Sequence, residues 1–467
     1  MNVIEKQQKE LHIKQKMFLV RGTHYCISVL LFYGAFLLFR YDFTLQNTEF
    51  GFRYNYIVTG LYAAVLAFLN STLNSYLFGY TRIRGLVLSQ FLSQLFSTVI
   101  IYIGVSLGWN NLKAPYAFIG LLFIYFFLDC GVSRFGNDYY YKLNPTKRTL
   151  LIYRNNRDRR RFGNLTGKPT QRLYRIVREI RFDGSFEEIR EELENGYDAI
   201  FVAGLNSRCR NGILKYCEEN DIRGFFLPHI GDVIMQGAEH IQTFDSPVLQ
   251  ARRKSPATEY MLVKRGFDIL GSAAGLIVLS PLMALIAMAV WLCDRGPVFY
   301  RQTRVTKNGK EFRIIKFRSM RVDAEKDGIA RLSTGEKDDR ITPVGRILRN
   351  YRLDELPQLW NILIGNMSFV GPRPERPEIT EQYCLQMPEF KLRLQVKAGL
   401  TGYAQVYGKY NTDPYEKLEF DLLYINHMSL VTDLQLLFST SGILFVKEST
   451  SGVRGITAID GKEEGDS

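Results

Sequence analysis

Zinc-binding patterns and a secretion signal are both missing from this sequence of 467 residues. Its six cysteines are scattered, without the CxxC or Cys/His spacing that builds a zinc site, so reduced and unpaired thiols are expected. The lysine-rich start, residues 5–16, precedes a long apolar stretch with no small-residue cleavage pattern behind it. A cleavable signal peptide is therefore not expected, and the amino terminus is predicted to stay in the cytoplasm.

Acidic residues are outnumbered, with 47 Asp and Glu against 60 Lys and Arg and a formal net charge of +13. The chain is too long for one ordinary domain, and its mean hydropathy is near neutral because strongly apolar and strongly basic segments cancel. The charge alone leaves nucleic acid, anionic lipid and phosphorylated substrates as partners. Membrane segments favour the last two, and we expect no nucleic acid partner.

Residues 1–147 are predicted to form a four-helix transmembrane anchor. A span needs about 20 apolar residues, and four such stretches are centred on residues 29–38, 57–77, 88–107 and 117–127. Lysines and arginines concentrate before the first, between the second and third, and after the fourth stretch, which places both ends of the bundle in the cytoplasm. The stretches hold almost no ionisable residues, so a transporter or channel would lack a lining for its path.

Residues 148–250 alternate between strand-like and helical segments, which predicts a small α/β domain with a parallel sheet. The pattern is that of half a Rossmann fold. However, the first strand runs into Arg154-Asn155-Asn156-Arg157, where a dinucleotide site needs a glycine-rich turn. The domain is therefore predicted to be degenerate and to bind no cofactor.

Residues 251–450 open with a basic linker, expected to lie against anionic headgroups, and then an apolar stretch, residues 267–292, that is long enough to cross a bilayer. Ser280-Pro281 lies at the centre of this stretch and allows a bend, because proline removes a backbone donor and serine can bind a freed carbonyl. On this segment alone, a kinked span and a re-entrant helix are equally compatible. The basic domain behind it favours a re-entrant helix and a cytoplasmic location. The short acidic tail, residues 451–467, is predicted to be disordered.

Two cations are predicted to face one place on a strand. Residues 314–320 alternate, so Lys316 and Arg318 project to the same side while Phe317 packs behind them. A solvated basic strand edge would give the same pattern. Arg349 lies on an amphipathic helix, five residues before Asp354.

Asp354 and Glu355 are adjacent carboxylates just ahead of Pro357, which suits the first turn of a helix over residues 357–364. Neighbouring side chains diverge by about 100° on a helix, so different roles fit better than a shared proton. One carboxylate can attack phosphorus while the other holds Mg²⁺ against a diphosphate. No histidine lies near to activate another nucleophile. The simpler alternative is that both acids only interact favourably with the positive end of the helix dipole.

Two further motifs follow. Pro372-Arg373-Pro374 restricts the backbone around one guanidinium, which would present Arg373 to an oxyanion, although a rigid turn would equally explain the prolines. The glycine-containing segment at residues 397–408 could shape a sugar or nucleotide pocket.

Taken in order, KFRSM, LDELPQLWNILIGNMSFVGPRPERP and AGLTGYAQVYG resemble the bacterial sugar transferase family, the monotopic polyprenyl-phosphate phosphoglycosyl transferases. The resemblance covers residues 259–446, and the anchor and α/β domain resemble its long form. It implies that Asp354 is the nucleophile, that Glu355 contributes to a Mg²⁺ site, and that Ser280-Pro281 breaks a re-entrant helix. The basic positions that the resemblance assigns to phosphate contacts are Lys316, Arg318, Arg349 and Arg373. Ala398, Tyr403 and Tyr407 depart from the family's usual proline, tryptophan and asparagine, which leaves the identity of the sugar open.

The expected fold is a membrane protein with a four-helix bundle, a Rossmann-like α/β domain, and a re-entrant helix carrying an α-rich, mixed α/β cytoplasmic catalytic domain. The resemblance implies transfer of a hexose-1-phosphate, glucose or galactose, from a UDP-sugar to undecaprenyl phosphate at the bacterial inner membrane, with membrane lipid as a further partner. This would be the first membrane step of exopolysaccharide, capsule or O-antigen synthesis. A homodimer is compatible with this expectation. The alternative is a noncatalytic membrane scaffold, which would have no use for the acid pair beside three basic motifs.

Overall fold

The computed structural model describes residues 3–44, 52–108, 115–165, 172–241, 248–253, 256–321, 340–408 and 413–444. The chain divides into two compact units, Met1–His229 and Ile230–Ser467. The predicted domain boundaries at residues 148 and 251 were placed where the amino-acid composition changes, and they stay predictions. The predicted disordered tail, residues 451–467, lies outside the described residues.

The first unit begins with four long helices: α1 (Val3–Thr44), α2 (Phe52–Thr72), α3 (Ile83–Gly108) and α4 (Tyr116–Leu143). Four of the described helices are long and apolar enough to cross a membrane. Three of them are α1, α3 and α4, and the fourth is the helix over residues 258–294 in the second unit. The second predicted stretch, residues 57–77, extends beyond α2. The helix ends early because the chain turns at Asn74, which has a left-handed φ of 51°.

The bundle interior is aromatic, but it also holds a buried polar group of four side chains. His24 Nε2 lies 3.0 Å from Asp129 Oδ1, and Gln94 Nε2 donates to the same oxygen at 3.1 Å. The Tyr76 hydroxyl lies 2.9 Å from His24 Nδ1. The two ionisable residues therefore pair with each other across α1 and α4, so they hold the helices together.

The rest of the first unit is a four-stranded parallel sheet with helices between the strands, as predicted. In chain order the elements are β1 (Lys147–Tyr153), α5 (Asn156–Leu165), β2 (Tyr174–Arg181), α6 (Phe186–Leu193), β3 (Ala199–Ala203), α7 (Ser207–Glu219) and β4 (Arg223–Phe226). The strand order is β2-β1-β3-β4. The sequence interpretation missed β2 because it is an edge strand with mostly exposed, charged residues.

The carboxyl edge of β1 and β3 is where a Rossmann fold binds its ligand. Here Asn155 caps α5 by accepting from the Asp158 backbone N–H at 2.9 Å. The Asp158 carboxylate packs against Gly204, where an added Cβ would lie 1.9 Å from its Oδ2. A carboxylate of the chain itself thus occupies the crevice at this edge.

The second unit is mixed α/β and mainly helical. Its elements are α8 (Ile230–Gln236), β5 (Glu239–Ile241), β6 (Val248–Gln250), α9 (Thr258–Asp294), β7 (Phe299–Val305), β8 (Glu311–Phe317), α10 (Pro343–Asn350), α11 (Gln358–Leu363), β9 (Ser368–Val370), α12 (Pro377–Gln386), β10 (Gly399–Thr401), α13 (Tyr403–Val406), α14 (Pro414–Asn426) and α15 (Leu430–Leu444). The strands form three two-stranded sheets: β5 with β6, β7 with β8, and β9 with β10.

Helix α9 contacts the rest of this unit at both of its ends. Near its start, Arg265 donates to the carbonyl oxygens of Ile362 and Leu363, both at 2.8 Å. At its end, Asp294 forms an ion pair with Arg318. The helix is continuous through Pro281. Its outer face is highly exposed and apolar, with Leu270, Ile277 and Val278 each more than 70% exposed.

Candidate active site

The acid pair lies on a short turn between two helices. Asp354 and Glu355 belong to a 3₁₀ turn over Leu353–Glu355, and α11 begins only at Gln358 with Pro357 as its N-cap. The predicted helix over residues 357–364 is therefore present but shorter, and the acids precede it by one turn. Arg352, directly before the turn, has a left-handed φ of 53°. Such a backbone costs about 1–3 kcal/mol and is typical of functional sites.

Glu355 is held between two of the predicted basic residues. Its Oε1 accepts from Lys316 Nζ at 2.8 Å and from Arg373 Nη2 at 3.0 Å. Burial by itself raises the pKa of this carboxyl, but the charges of Lys316, Arg373 and Arg352 outweigh it and hold the pKa of Glu355 well below its usual range. Glu355 is therefore ionised throughout the physiological range.

Asp354 differs, because it makes no hydrogen bond or ion pair with any of the described residues. Burial raises the pKa of Asp354 to about 6; the charge of Glu355 adds to the rise, and Lys316, Arg349 and Arg373 oppose it. At neutral pH the group is largely ionised, and none of the described residues forms a hydrogen bond with it. A carboxylate in this state is suited to nucleophilic attack.

The other two predicted cations lie behind this pair. Arg349 Nε donates to Ser319 Oγ at 2.8 Å. Arg318 is buried against Asp294, and its Nε and Nη1 have no hydrogen-bond partner among the described residues. Two unpaired guanidinium donors in a buried position are costly, which favours an anionic ligand reaching them.

The Pro-Arg-Pro segment is clamped by hydrogen bonds to its carbonyl oxygens. Arg393 Nη2 donates to the Arg373 oxygen at 2.8 Å, and Arg304 Nη1 donates to the Pro374 oxygen at 3.1 Å. The backbone N–H of Gly399 donates to the Pro372 oxygen at 2.9 Å. The turn that carries Arg373 is thereby fixed from several elements.

Buried charges support this clamp. Arg393 pairs with Asp421 at 2.8 Å, and both side chains are at most 3% exposed. Glu375 lies near Lys417 at 3.4 Å, Arg304 at 3.9 Å and Arg393 at 4.0 Å. Burial raises the pKa of Glu375 by itself, but these cations lower it below the usual value. Glu375 is therefore a charged hub behind the turn.

The sequence interpretation missed this hub. Glu375 lies within the RPERP motif, so its position next to Arg373 was a usable signal. Arg304, Arg393 and Asp421 are 69, 20 and 48 positions from Arg373 and carry no local pattern that would join them to it.

The glycine-containing segment packs against the Pro-Arg-Pro turn. β10 pairs in parallel with β9, and a Cβ on Gly371 would lie 2.4 Å from the Lys397 carbonyl oxygen. The Tyr403 and Tyr407 rings lie 5.3 Å apart, and Tyr407 is 56% exposed. A role for this segment in sugar selection stays a prediction.

The described residues contain no group of three or more His, Cys, Asp and Glu side chains that could hold a metal ion. Mg²⁺ at phosphate-transfer sites is bound by one or two carboxylates, with substrate phosphates and water as its other ligands. The adjacent, ionised Asp354 and Glu355 meet this smaller requirement. The residues present therefore fit a magnesium ion that arrives with a diphosphate.

The second unit is similar in sequence to a known protein family and to several of its members. The model of the bacterial sugar transferase family matches residues 259–447. The UDP-N-acetylgalactosamine-undecaprenyl-phosphate N-acetylgalactosaminephosphotransferase of Aeromonas hydrophila is 40% identical over 188 residues, which are 40% of this chain and 44% of that protein. The UDP-glucose:undecaprenyl-phosphate glucose-1-phosphate transferase of Escherichia coli K12 is 40% identical over 225 residues, 47% of this chain and 46% of that protein. The exopolysaccharide production protein PSS of Rhizobium leguminosarum is 39% identical over 201 residues, which cover 41% of this chain and 98% of that protein. The chain thus spans less than half the length of the first two relatives.

Proposed function

Because the chain belongs to the bacterial sugar transferase family, we propose that it transfers a sugar-1-phosphate from a UDP-sugar to undecaprenyl phosphate and releases UMP. The relatives named after this reaction support the substrate classes. The observation that carries the proposal is the unpartnered Asp354 beside Glu355, which Lys316 and Arg373 hold.

The reaction proceeds in two displacements. In the first, an Asp354 oxygen attacks the sugar-bearing phosphorus, the phosphorus–oxygen bond to UMP breaks, and UMP leaves with its electron pair. In the second, an oxygen of undecaprenyl phosphate attacks the same phosphorus and Asp354 leaves, which regenerates the carboxylate. Lys316 and Arg373, which bind the neighbouring Glu355, offset negative charge in both steps. Glu355 would hold Mg²⁺, which offsets charge on the diphosphate when bound.

The proposed place of this reaction is the cytoplasmic face of the bacterial inner membrane, as the first membrane step of exopolysaccharide, capsule or O-antigen synthesis. The proposed sugar is a hexose, glucose or galactose, and the enzyme is proposed to assemble as a homodimer through its first unit.

The location requires that α9 enter and leave the bilayer at one face. A straight helix of 37 residues is about 55 Å long and would cross a hydrocarbon core of about 30 Å. Its two ends would then lie on opposite sides, yet Arg265 and Asp294 both bind the same unit. Ser280 Oγ donates to the Ile277 carbonyl at 2.7 Å, beside Pro281, which lacks a donor. These contacts support a re-entrant helix bent at Ser280-Pro281.

The test is intact-protein mass spectrometry after incubation with a set of UDP-sugars and Mg²⁺, without lipid acceptor. Wild-type protein should gain one hexose phosphate, and Asp354→Asn should gain nothing while folding normally, because an amide is a far poorer nucleophile. UMP release is measured in parallel. An unmodified wild-type enzyme that turns over only with both substrates present would refute the covalent step. If no UDP-sugar yields UMP, the noncatalytic membrane scaffold is favoured instead.

A further inference from the structure

A group of cations surrounds the turn after α11, at the opposite end of α9 from Asp294. Gly365 has a left-handed φ of 90°, and a Cβ placed on it would lie 3.2 Å from Arg265 Nη2 and 3.6 Å from Lys397 Nζ. The two cationic groups are therefore close neighbours. The Arg265 guanidinium donates to two carbonyl oxygens, which carry no formal charge, and the Asp268 carboxylate offsets part of its charge.

The β7–β8 hairpin brings further cations to the same place. Thr306 Oγ1 donates to the Asn366 oxygen at 3.2 Å and accepts from the Ala398 N–H at 3.0 Å, which holds the hairpin turn beside Gly365 and Lys397. Lys307 and Lys310 lie in this turn. Arg253, from the basic linker, donates to Asn308 Oδ1 of the turn at 2.7 Å.

The cluster has more positive than negative charge among the described residues, with Asp268 as the acid that acts on Arg265 and Lys397. Within the described part of the chain, Lys307, Lys310 and Lys397 form no ion pair or side-chain hydrogen bond. Asp268 accepts hydrogen bonds from the Ser368 hydroxyl and the Phe369 N–H, which fix its carboxylate but leave its charge in place. Burial lowers the pKa of Lys397, and the charges of Arg265, Lys307 and Lys310 lower it further, while Asp268 opposes them. Five cations thus converge, and the single charge of Asp268 offsets only part of theirs.

We propose that this cluster, Arg253, Arg265, Lys307, Lys310 and Lys397, binds the phosphate of an anionic phospholipid headgroup. Leu262 and Phe267, near the start of α9, are 69% and 61% exposed and offer apolar surface to acyl chains at the same end of the helix as Arg265. A free phosphate or nucleotide would have no use for that surface.

The cluster is separate from the acid pair. Lys310 directly precedes β8 and Lys316 lies six residues further on within it, which is about 20 Å in an extended strand. The lipid bound here is therefore not the phosphate acceptor at Asp354. It would fix the amino-terminal end of α9 at headgroup depth, and this inference rests on the membrane placement in the proposed function.

The experiment is native mass spectrometry of the full, delipidated protein in detergent, titrated with dioctanoyl phosphatidylglycerol, dioctanoyl phosphatidylcholine or inorganic phosphate. The test variant is Lys307→Gln/Lys397→Gln, and the matched control is Lys215→Gln/Lys391→Gln, which removes two exposed lysines elsewhere. Each cation near an anionic headgroup contributes about 1 kcal/mol, so we expect about 30-fold weaker phosphatidylglycerol binding in the test variant and no change in the control. Lys310→Gln, at an exposed position, should weaken binding about 5-fold and serves if the double variant unfolds.

Three results would overturn the inference: equal binding of both lipids by wild type, equal phosphatidylglycerol affinity in the test and control variants, or saturation by inorganic phosphate that displaces the lipid. UMP release is measured separately. UMP release without a preference for phosphatidylglycerol would refute this inference alone. A preference for phosphatidylglycerol without UMP release would refute the proposed reaction alone.

Discussion

Arg393→Lys should reduce turnover although Arg393 does not touch the acid pair. Its guanidinium binds Asp421 at 2.8 Å and the Arg373 carbonyl oxygen at 2.8 Å at the same time. Lysine keeps the charge but lacks the planar fork that serves both partners. The Pro-Arg-Pro turn would then lose one of its clamps, and the Arg373 guanidinium would lie less often on Glu355.

The size of the effect follows from these contacts. A hydrogen bond to a charged donor is worth about 1.5–3 kcal/mol, and loss of a transition-state cation such as Arg373 costs about 10²–10³ in rate. A partly displaced Arg373 should lose part of this rate contribution, so we expect turnover to fall about 10- to 100-fold. In an Arg373→Ala background the same Arg393→Lys change should cost less than about 3-fold, because no guanidinium remains to be positioned.

The assay is a double-mutant cycle on UMP release, with thermal unfolding of each variant measured in the same detergent. Arg190→Lys, an exposed arginine on α6, is the control substitution and should change neither quantity. Equal losses from Arg393→Lys in both backgrounds would mean that Arg393 acts through general stability. The positioning role would then be withdrawn.

Five further outcomes are expected. The rate of adduct formation should rise with pH through about 6, because burial raises the pKa of Asp354 to about 6 and only its ionised form attacks; a rate that is flat from pH 5 to 7 would contradict this. A cysteine is placed at Lys307 in a chain that lacks its native cysteines, and it should resist an impermeant maleimide in intact cells. Labelling would mean that α9 crosses the bilayer. Pro281→Leu should straighten α9 and reduce UMP release. Asp129→Ala should destabilise the bundle by about 3–5 kcal/mol, read as a lower Tm, because it leaves His24 buried without its partner; an unchanged Tm would refute the pair's role. A chain beginning at Ala257 should retain UMP release in detergent, and complete loss in a folded chain would show that the first unit takes part in the chemistry.

Local patterns in the sequence were enough to predict several elements. The long apolar stretches gave helices, and the buried strands β1 and β3 have apolar runs that a parallel sheet requires. The adjacent acids, the proline-flanked arginine and the alternating basic strand all carry their signal within a few residues. These features therefore predicted the family and a set of candidate site residues.

Tertiary structure decided which of those residues meet. Lys316 and Glu355 are 39 positions apart and Arg373 is 18 positions beyond Glu355, yet both cations bind one carboxylate oxygen. It also separated the two acids, since Lys316 and Arg373 bind Glu355 while no described residue forms a hydrogen bond with Asp354. Nothing in the dipeptide itself distinguishes them, because the difference comes from which distant cation each oxygen faces.

Pairs of single residues from distant segments were beyond the sequence interpretation altogether. Arg393 and Asp421, or His24 and Asp129 across 105 positions, have no local periodicity, because each is one polar residue in an unrelated helix or turn. Edge strand β2 was missed for the opposite reason, since its exposed face carries charges that hide the alternation. Local composition and spacing determine where the elements and motifs lie, whereas the packing of elements far apart in the chain determines which charges become partners, and burial then sets the strength of each pair.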